Sequence, residues 1–369
     1  MRVSQPIGWP QGMTPQTPTG FVVGSFAARL INPRSLYVLP NGDVLTAEAT
    51  GRNGTAGQIT LLRDADGNGI AETRTVFLSG LHQPFGMLLL GDTFYVAATA
   101  AVWQFAYHRG DTRLAGDGRK ILSLPAGPHN GHWARNLVAR ADGRKLYVSI
   151  GSSSNVADRG MEAEAQRANI LEFNPDGSGV RVYASGLRNP TGLAMAPDGT
   201  TLWMAVNERD GLGDDLVPDY LTQLVDGGFY GWPYSYWGGH IDPRVDASGH
   251  EDLIAKAIVP DLSLGAHVAP LGVAFYRGTA FPPRYRSGVF VSEHGSWNRS
   301  TFAGYRVVFV PFVDGRPSAA PEDFLSGFIA DAGENQVYGR PVGIAVANDG
   351  ALLVADDAAK MIWRVSYRH

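Results

Sequence analysis

The sequence predicts an all-β fold assembled from one repeated strand unit, and three observations predict it. Short strands rich in Val, Leu, Tyr and Ala recur along the whole chain. Asp-Gly or Asn-Gly turns join them, and these residues tolerate the positive φ that tight hairpins need. Sustained helical periodicity is nearly absent, with residues 161–170 the best stretch for one short helix. Third, six segments align on their turn glycine: INPRSLYVLPNGDVLTAEA, HQPFGMLLLGDTFYVAAT, HWARNLVARADGRKLYVSI, RNPTGLAMAPDGTTLWMAV, HVAPLGVAFYRG and GRPVGIAVANDGALLVADD. Their glycines (Gly42, Gly91, Gly143, Gly199, Gly278 and Gly350) are spaced by about 62 residues on average, close to one sixth of the chain. Repeated antiparallel units without alternating helices point to a six-bladed β-propeller of four-stranded antiparallel blades.

Taken in order, residues 1–20 form a proline-rich N-terminal extension without an apolar signal core, and 21–369 a single propeller domain. The strand FVVGSFAARL is placed to pair with the chain end, MIWRVSYRH, and so close the ring. After the first copy comes DADGNG, starting at Asp64, which looks like the start of a calcium loop. Its twelfth position is Thr75 rather than glutamate, so a turn with Asx hydrogen bonds is expected, a structural calcium being the alternative. In the fifth copy a longer connection separates the first strand from GVFVSEHG. Insertions at 207–264 and 311–338 become loops on a face. The first is rich in aromatic and acidic residues (Tyr220, Phe229, Tyr230, Trp232, Tyr234, Asp210, Asp214) and is expected to wall or cover a site.

Bulk properties narrow the function classes. Hydrophobic residues make up 44% and charged residues 18% of 369, ample for a packed core. The 46 glycines and 23 prolines are dispersed, as turns would have them. A net charge of −4 gives no electrostatic case for nucleic acid or an anionic membrane. With no cysteine, disulfides, thiolate metal sites, cysteine nucleophiles and covalently attached haem are excluded. No apolar run approaches the roughly 18 residues of a membrane span. GxGxxG after a strand, GxxxxGK and GxSxG are all missing, so nicotinamide, ATP and serine-hydrolase chemistry lack support.

The repeat carries the chemistry. Equivalent positions of the copies should lie equivalently around one axis, so the polar residues that open each copy become neighbours. These are Asn32 and Arg34, His82 and Gln83, His132 and Arg135, Arg188 and Asn189, His267, and Arg340. Arginines and histidines confined to one channel mouth repel unless an anion is bound there. A planar polyanion gripped by guanidinium forks is implied.

GLRNPTGLA followed by NERDGLGDD and GGFYGWP resembles the soluble pyrroloquinoline quinone (PQQ) sugar dehydrogenases, in particular their sorbosone and pyranose dehydrogenase branch. GHWARNLVARADGRKLYVSIGSSSNV, LGAHVAPLGVAFY and EHGSWNRSTFAGYRVVFVPF are similar to the same branch, which brings the resemblance from about Phe21 to the end. The resemblance implies a six-bladed propeller and a function. PQQ would oxidise an aldose or related sugar at its anomeric or aldehyde-hydrate hydroxyl, giving lactone or acid. His132 would be the general base, a role suited to imidazole; His129 is the alternative. Arg188 and Asn189 would hold the quinone oxygens and stabilise charge developing on them. Arg340 would pair with a cofactor carboxylate, Arg299 would act similarly, and Gln83 would add a polar contact. His267, Tyr276 and Trp232 would line the substrate entrance. A calcium ion would sit at the ERDGLGDD loop, near Asp210 and Gly211. An external quinone or cytochrome would accept the electrons, and the resemblance implies a periplasmic or secreted location. Two other readings fit the fold: a calcium-dependent sugar lactonase and a non-catalytic binding propeller.

Overall fold

A computed structural model describes residues 1–49, 57–127 and 130–368. Sheets of four or five strands follow one another along the chain. Sheet I holds Pro33–Val38, Val44–Glu48, Gly57–Arg63 and Thr73–Leu81; sheet II holds Pro84–Leu90, Thr93–Ala98, Ala101–Ala106 and Arg119–Ser123. Sheet III is Leu137–Ala139, Leu146–Ile150, Asn169–Phe173 and Arg181–Ser185, extended in parallel by Gly228–Phe229. Sheet IV is Asn189–Met195, Leu202–Asn207, Pro218–Gln223 and Leu262–Ala266. Sheet V is Pro270–Phe275, Gly288–Glu293, Arg306–Val313 and Glu322–Leu325, with Arg316–Pro317 pairing the far end of its third strand. Sheet VI takes Pro341–Val346, Leu352–Asp356 and Met361–Tyr367 from the C-terminus and Phe21–Ala27 from the N-terminus, with Phe21 opposite Tyr367. The expected pairing of the two ends is thus present.

The first strands of sheets I to VI contact one another in sequence, and that of sheet VI returns to that of sheet I. All six contribute residues to one channel of about 330 Å³. Each neighbouring pair of sheets shares an apolar cluster, and sheet VI shares one with sheet I. Period-two alternation feeds two clusters from one strand. Phe94 and Val96 face sheet I while Tyr95 and Ala97 face sheet III. Leu353 and Ala355 join sheet I while Leu352 and Val354 join sheet V. Second strands are therefore buried on both faces, which is why they read as continuous apolar runs.

A Pro-x-Gly pattern recurs in the innermost strands of sheets II, IV, V and VI, and its third position has a steric reason. A Cβ at Gly272 would lie 2.3 Å from the Val342 carbonyl oxygen, and one at Gly86 2.6 Å from that of Arg135. One at Gly343 would lie 2.8 Å from the Arg34 carbonyl oxygen. Neighbouring innermost strands approach backbone to backbone there, and only glycine fits. Because equivalent residues face each other, these strands run the same way, and the residues that open each strand gather at one end of the channel.

Residues 1–20 dock onto the body. Gln5–Pro6 pairs in parallel with Gln336–Val337, and Trp9 packs edge-on against Phe328 and Trp363 while its Nε1 donates to Asp356. The helix expected at 161–170 is a single 3-10 turn, Met161–Glu164. Positive φ at Gln166 and Ala168 ends it, and pairing with Leu146–Ile150 draws Asn169 and Ile170 into sheet III. Of the 207–264 insertion, Asp210 reaches the cavity at the end of the channel, but the aromatics expected to wall or cover the site do not. Tyr220, Tyr230, Trp232 and Tyr234 are buried, two of the insertion's segments are strands of sheet IV, and another extends sheet III. Gly278 also differs from the other aligned glycines: its φ is not positive, because residues 276–287 replace a tight turn with a long connection. The DADGNG segment is the expected Asx turn, with the Asp64 carboxylate accepting from the amides of Gly67, Asn68 and Gly69. No helix among the described residues is long and apolar enough to cross a membrane.

Candidate active site

At the end of the channel where the innermost strands begin, loops of sheets II to V enclose a cavity of about 670 Å³. His82, Gln83, Asn130, His132, Asn155, Arg159, Arg188, Asp210 and Trp297 are on its wall. His132 sits in the loop before Leu137–Ala139, and that loop is clamped from inside. The fully buried Arg135 guanidinium donates to the carbonyls of Pro125, His132 and Ala134 at 2.8–2.9 Å and to Asn130 Oδ1 at 3.2 Å. Burial, with Arg167 nearby, pushes the Arg135 pKa down to about 9, which still leaves it charged at neutral pH.

The His132 ring is oriented by Ser152. Its Nδ1 lies 2.9 Å from the Ser152 carbonyl oxygen and 3.0 Å from Ser152 Oγ, whose own hydrogen goes to the Ser154 carbonyl at 2.6 Å. Two acceptors at Nδ1 fix the proton there. Serines 152–154 are in turn tied down by the buried Glu164 carboxylate, which accepts from Ser153 N, Ser153 Oγ and Ser154 Oγ. A Cβ on Gly151 would lie 2.5 Å from His132 Cβ and 2.7 Å from Asn189 Oδ1, so this glycine lets His132 and Asn189 meet.

Arg188 is buried, and its guanidinium is met on every side. It donates to Asn207 Oδ1 (3.0 Å), Asn155 Oδ1 (2.9 Å) and Asp210 Oδ2 (2.9 Å). Asn155 is the hub, since its Oδ1 also accepts from Asp210 N and its Nδ2 donates to the Asp210 carbonyl. Behind Asp210, Asn298 Nδ2 donates to Oδ1 (2.5 Å), and His267 Nδ1 lies 3.7 Å from the same oxygen. Burial alone would raise the Asp210 pKa, but His267, Arg188 and His132 hold it below the ordinary carboxylate range. Burial likewise opposes protonation of His267, yet Asp210 and the Gly213 carbonyl raise its pKa.

A second buried network occupies the same end between sheets I, V and VI. Arg34 pairs with Asp357, and His294 Nε2 lies 2.9 Å from Asp357 Oδ1. Arg340 donates to the carbonyls of His294 (3.0 Å) and Gly295 (2.7 Å) and lies over the Tyr305 ring. Arg34 lies over the Trp133 ring, and its buried Nε has no acceptor among the described residues. Burial and Arg340 push the His294 pKa down to about 4; burial opposes ionisation of Asp357, but His294 and Arg34 hold its pKa far below the carboxylate range.

The structure therefore brings His132, Arg188, Gln83 and Asp210 to one cavity wall, with Asn189 beside His132 and His267 behind Asp210. Trp232 stands one layer back, its Nε1 donating to the Asn155 carbonyl at 2.9 Å. Arg340 shares the end but not the wall, because backbone carbonyls hold its guanidinium. Arg299 turns away to the 214–215 turn, donating to the Asp214 carbonyl. Gly211 is exposed outside the cavity. Tyr276 belongs elsewhere. It follows the innermost strand of sheet V at its far end, about 20 Å along an extended strand from Pro270, and is buried with its hydroxyl donating to Gly350 O. His129 lies outside the described residues. Sequence reasoning missed Asn155 and Trp297. Both stand inside quoted motifs, GSSSNV and GSWNRS, but neither opens a repeat, so the repeat logic gave them no role.

A family model described as TrAA12-like matches residues 15–218 and 245–368. An uncharacterized protein of Borreliella burgdorferi is 33% identical over 247 residues, 66% of this chain and 63% of that protein. A pyrroloquinoline quinone-dependent pyranose dehydrogenase of Coprinopsis cinerea is 24% identical over 400 residues, 92% of this chain and 53% of that protein. The match thus spans between half and two thirds of these relatives' own length. Among solved structures, the iodide structure of the Trichoderma reesei family AA12 carbohydrate-active enzyme superposes with a TM-score of 0.80 at 20% identity, covering 100% of this chain and 99% of that one. The holo PQQ domain of the Coprinopsis cinerea pyranose dehydrogenase gives 0.77 at 22% identity, covering 99% and 100%. These structural likenesses establish a shared fold.

Proposed function

The chain belongs to the TrAA12-like family, and from that premise we propose that it is a PQQ-dependent oxidoreductase of an aldose or related sugar, its sheets I to VI being the six blades of one propeller. The observation that carries the reading is the pairing, on one cavity wall, of a tautomer-fixed His132 with the buried Arg188. The donor set suits a flat polyanion. Guanidinium, imidazole and amide groups of Arg159, His82, Asn130 and Gln83 line the cavity, Arg188 adds its charge while its N–H groups are held by Asn155, Asn207 and Asp210, and the buried Arg34 Nε near the same end is without an acceptor among the described residues. PQQ, when bound, supplies a two-electron acceptor for the hydride of the sugar C–H.

The chain's own residues do the rest. With its proton at Nδ1, His132 offers Nε2 to the sugar hydroxyl and takes its proton as the C–H bond breaks. Arg188, fixed by Asn155 and Asp210, holds positive charge where negative charge develops, with no reorganisation needed. Asn189 adds an amide beside His132, and the exposed indole of Trp297 gives the cavity an apolar wall. Arg340, and Arg299 through the 214–215 turn, act as braces of the surrounding loops. An external quinone or cytochrome takes the electrons onward, in a periplasmic or secreted setting.

Calcium at Asp210 and Gly211 does not fit these residues. The Asp210 carbonyl already accepts from Asn155 Nδ2 (2.9 Å) and Arg244 (2.6 Å), and its carboxylate is held by Arg188 and Asn298. No step is assigned to a metal. The lactonase reading wants carboxylates around the channel, whereas Asp210 here is neutralised by Arg188. Adding PQQ to the purified chain should produce a quinone absorbance change and dye reduction with a panel of aldoses. Lactone hydrolysis without dye reduction would replace the proposal with the rival.

A further inference from the structure

The Asp210 loop carries a cation of its own. Arg244 grips the buried Asp242 carboxylate in a two-pronged fork, Nε to Oδ1 at 2.9 Å and an Nη to Oδ2 at 2.8 Å. Its remaining Nη donates to the Asp210 carbonyl at 2.6 Å. Asp242 is itself placed by the hairpin Ser235–Tyr236 and His240–Ile241 and by the buried Arg209, whose guanidinium donates to it at 3.4 Å. At Gly211, φ is +93°, a conformation that side chains rarely adopt, and a Cβ there would lie 2.7 Å from the Arg244 guanidinium. The turn and the guanidinium are built for each other.

We propose that the Arg244 guanidinium takes the place of a divalent cation at the Asp210–Gly211 turn, so that the turn keeps its shape without calcium. A carbonyl oxygen has two lone pairs, and those of Asp210 meet Asn155 and Arg244. A calcium ion seeking this oxygen must displace one donor and approach a guanidinium of like charge. Arg244 and Asp242 lie in residues 219–244, which fall between the two matched stretches of the family model. Neither contact involves an occupant of the cavity, so the turn's independence of calcium can be measured without PQQ.

The test uses the full chain carrying Asp64→Asn, which silences the surface acids Asp64, Asp66 and Glu72, whose oxygens lie within 4.8 Å of one another. The unfolding midpoint should be the same in excess EDTA and in millimolar calcium chloride, and calorimetric titration with calcium chloride should give no saturable heat. Arg244→Met keeps the aliphatic stem but bares the Asp210 carbonyl and Asp242. It should lose midpoint in EDTA, recover in calcium, and give a saturable calcium isotherm where its parent gives none. Arg244→Lys keeps a cation, should stay indifferent to calcium, and serves if the methionine variant does not fold. One saturable calcium per parent chain with a raised midpoint overturns the proposal, as does a calcium-responsive Arg244→Lys or an unresponsive Arg244→Met. PQQ titration followed by absorbance separates this idea from the functional reading. Equal binding with EDTA and with calcium supports it, and binding only with calcium overturns it alone. No PQQ binding in either condition overturns the quinone reading and leaves the calcium titrations to decide this one.

Discussion

The Nδ1 of His132 lies 2.9 Å from the carbonyl oxygen of Ser152, so the imidazole donates there, and the proposed base is its other nitrogen. His132→Ala should therefore lower turnover of the PQQ-loaded chain about 10²–10⁴-fold, the usual weight of a general base. Its PQQ absorbance titration should remain intact. Unchanged turnover would move the base elsewhere, His129 being the first candidate.

Asn155→Ala removes three hydrogen bonds, one to Arg188 and two to the backbone of Asp210. Because one partner is a buried charge, the expected loss is about 1–3 kcal/mol in denaturant unfolding. The same variant should depress kcat more than it raises KM, since Arg188 is then mis-set for the reaction rather than for binding. An unmoved kcat would show that Arg188 needs no such support.

Gly272→Ala tests the backbone approach between sheets V and VI. The added methyl would meet the Val342 carbonyl oxygen at 2.3 Å, and rigid neighbours leave it nowhere to go. A cost of about 1–3 kcal/mol or more follows from overpacking. Gly239→Ala, with nothing within 4 Å, should stay within about 0.5 kcal/mol of wild type. Equal midpoints for the two variants would contradict the packing described.

Acid sensitivity should trace to His294. Its pKa is pushed from 6.5 to about 4 by burial and by Arg340, with Asp357 and Arg34 completing its surroundings. Between those two values the unfolded chain binds a proton that the folded chain refuses. Stability from this group is thus complete above pH 6.5 and declines as pH falls toward 4, with a slope approaching about 1.4 kcal/mol per pH unit. His294→Gln keeps an amide donor for Asp357 and should flatten that slope in unfolding curves measured from pH 7 to 4.

Much of this architecture was legible in the sequence because its signals are local. Gly42, Gly143, Gly199 and Gly350, each after Asn or Asp, and Gly91 after Leu90 all adopt positive φ, as a tight hairpin requires, and apolar runs mark strands covered on both sides. Polar residues opening each repeat gave His132, Arg188, Gln83 and Asn189, since translation along the chain becomes rotation about the channel. Side-chain direction was not legible. Arg340 and Arg299 carry the right charge at suitable positions, yet nearby carbonyls (His294, Gly295, Asp214) capture them, and no spacing rule reveals that. Tyr276 was misplaced because motif proximity ignores which end of a strand a residue occupies. The 207–264 aromatics were misread because composition cannot tell a lid from an outer buttress.

Sheet VI is stitched from both termini, Phe21–Ala27 beside Met361–Tyr367, residues almost a whole chain length apart. No nascent or truncated chain can satisfy that seam until its last strand emerges, and the entropy of joining such remote segments is met only then. Trimming either terminus should expose a bare strand edge inviting another molecule to fill it, so shortened forms ought to self-associate before they simply melt.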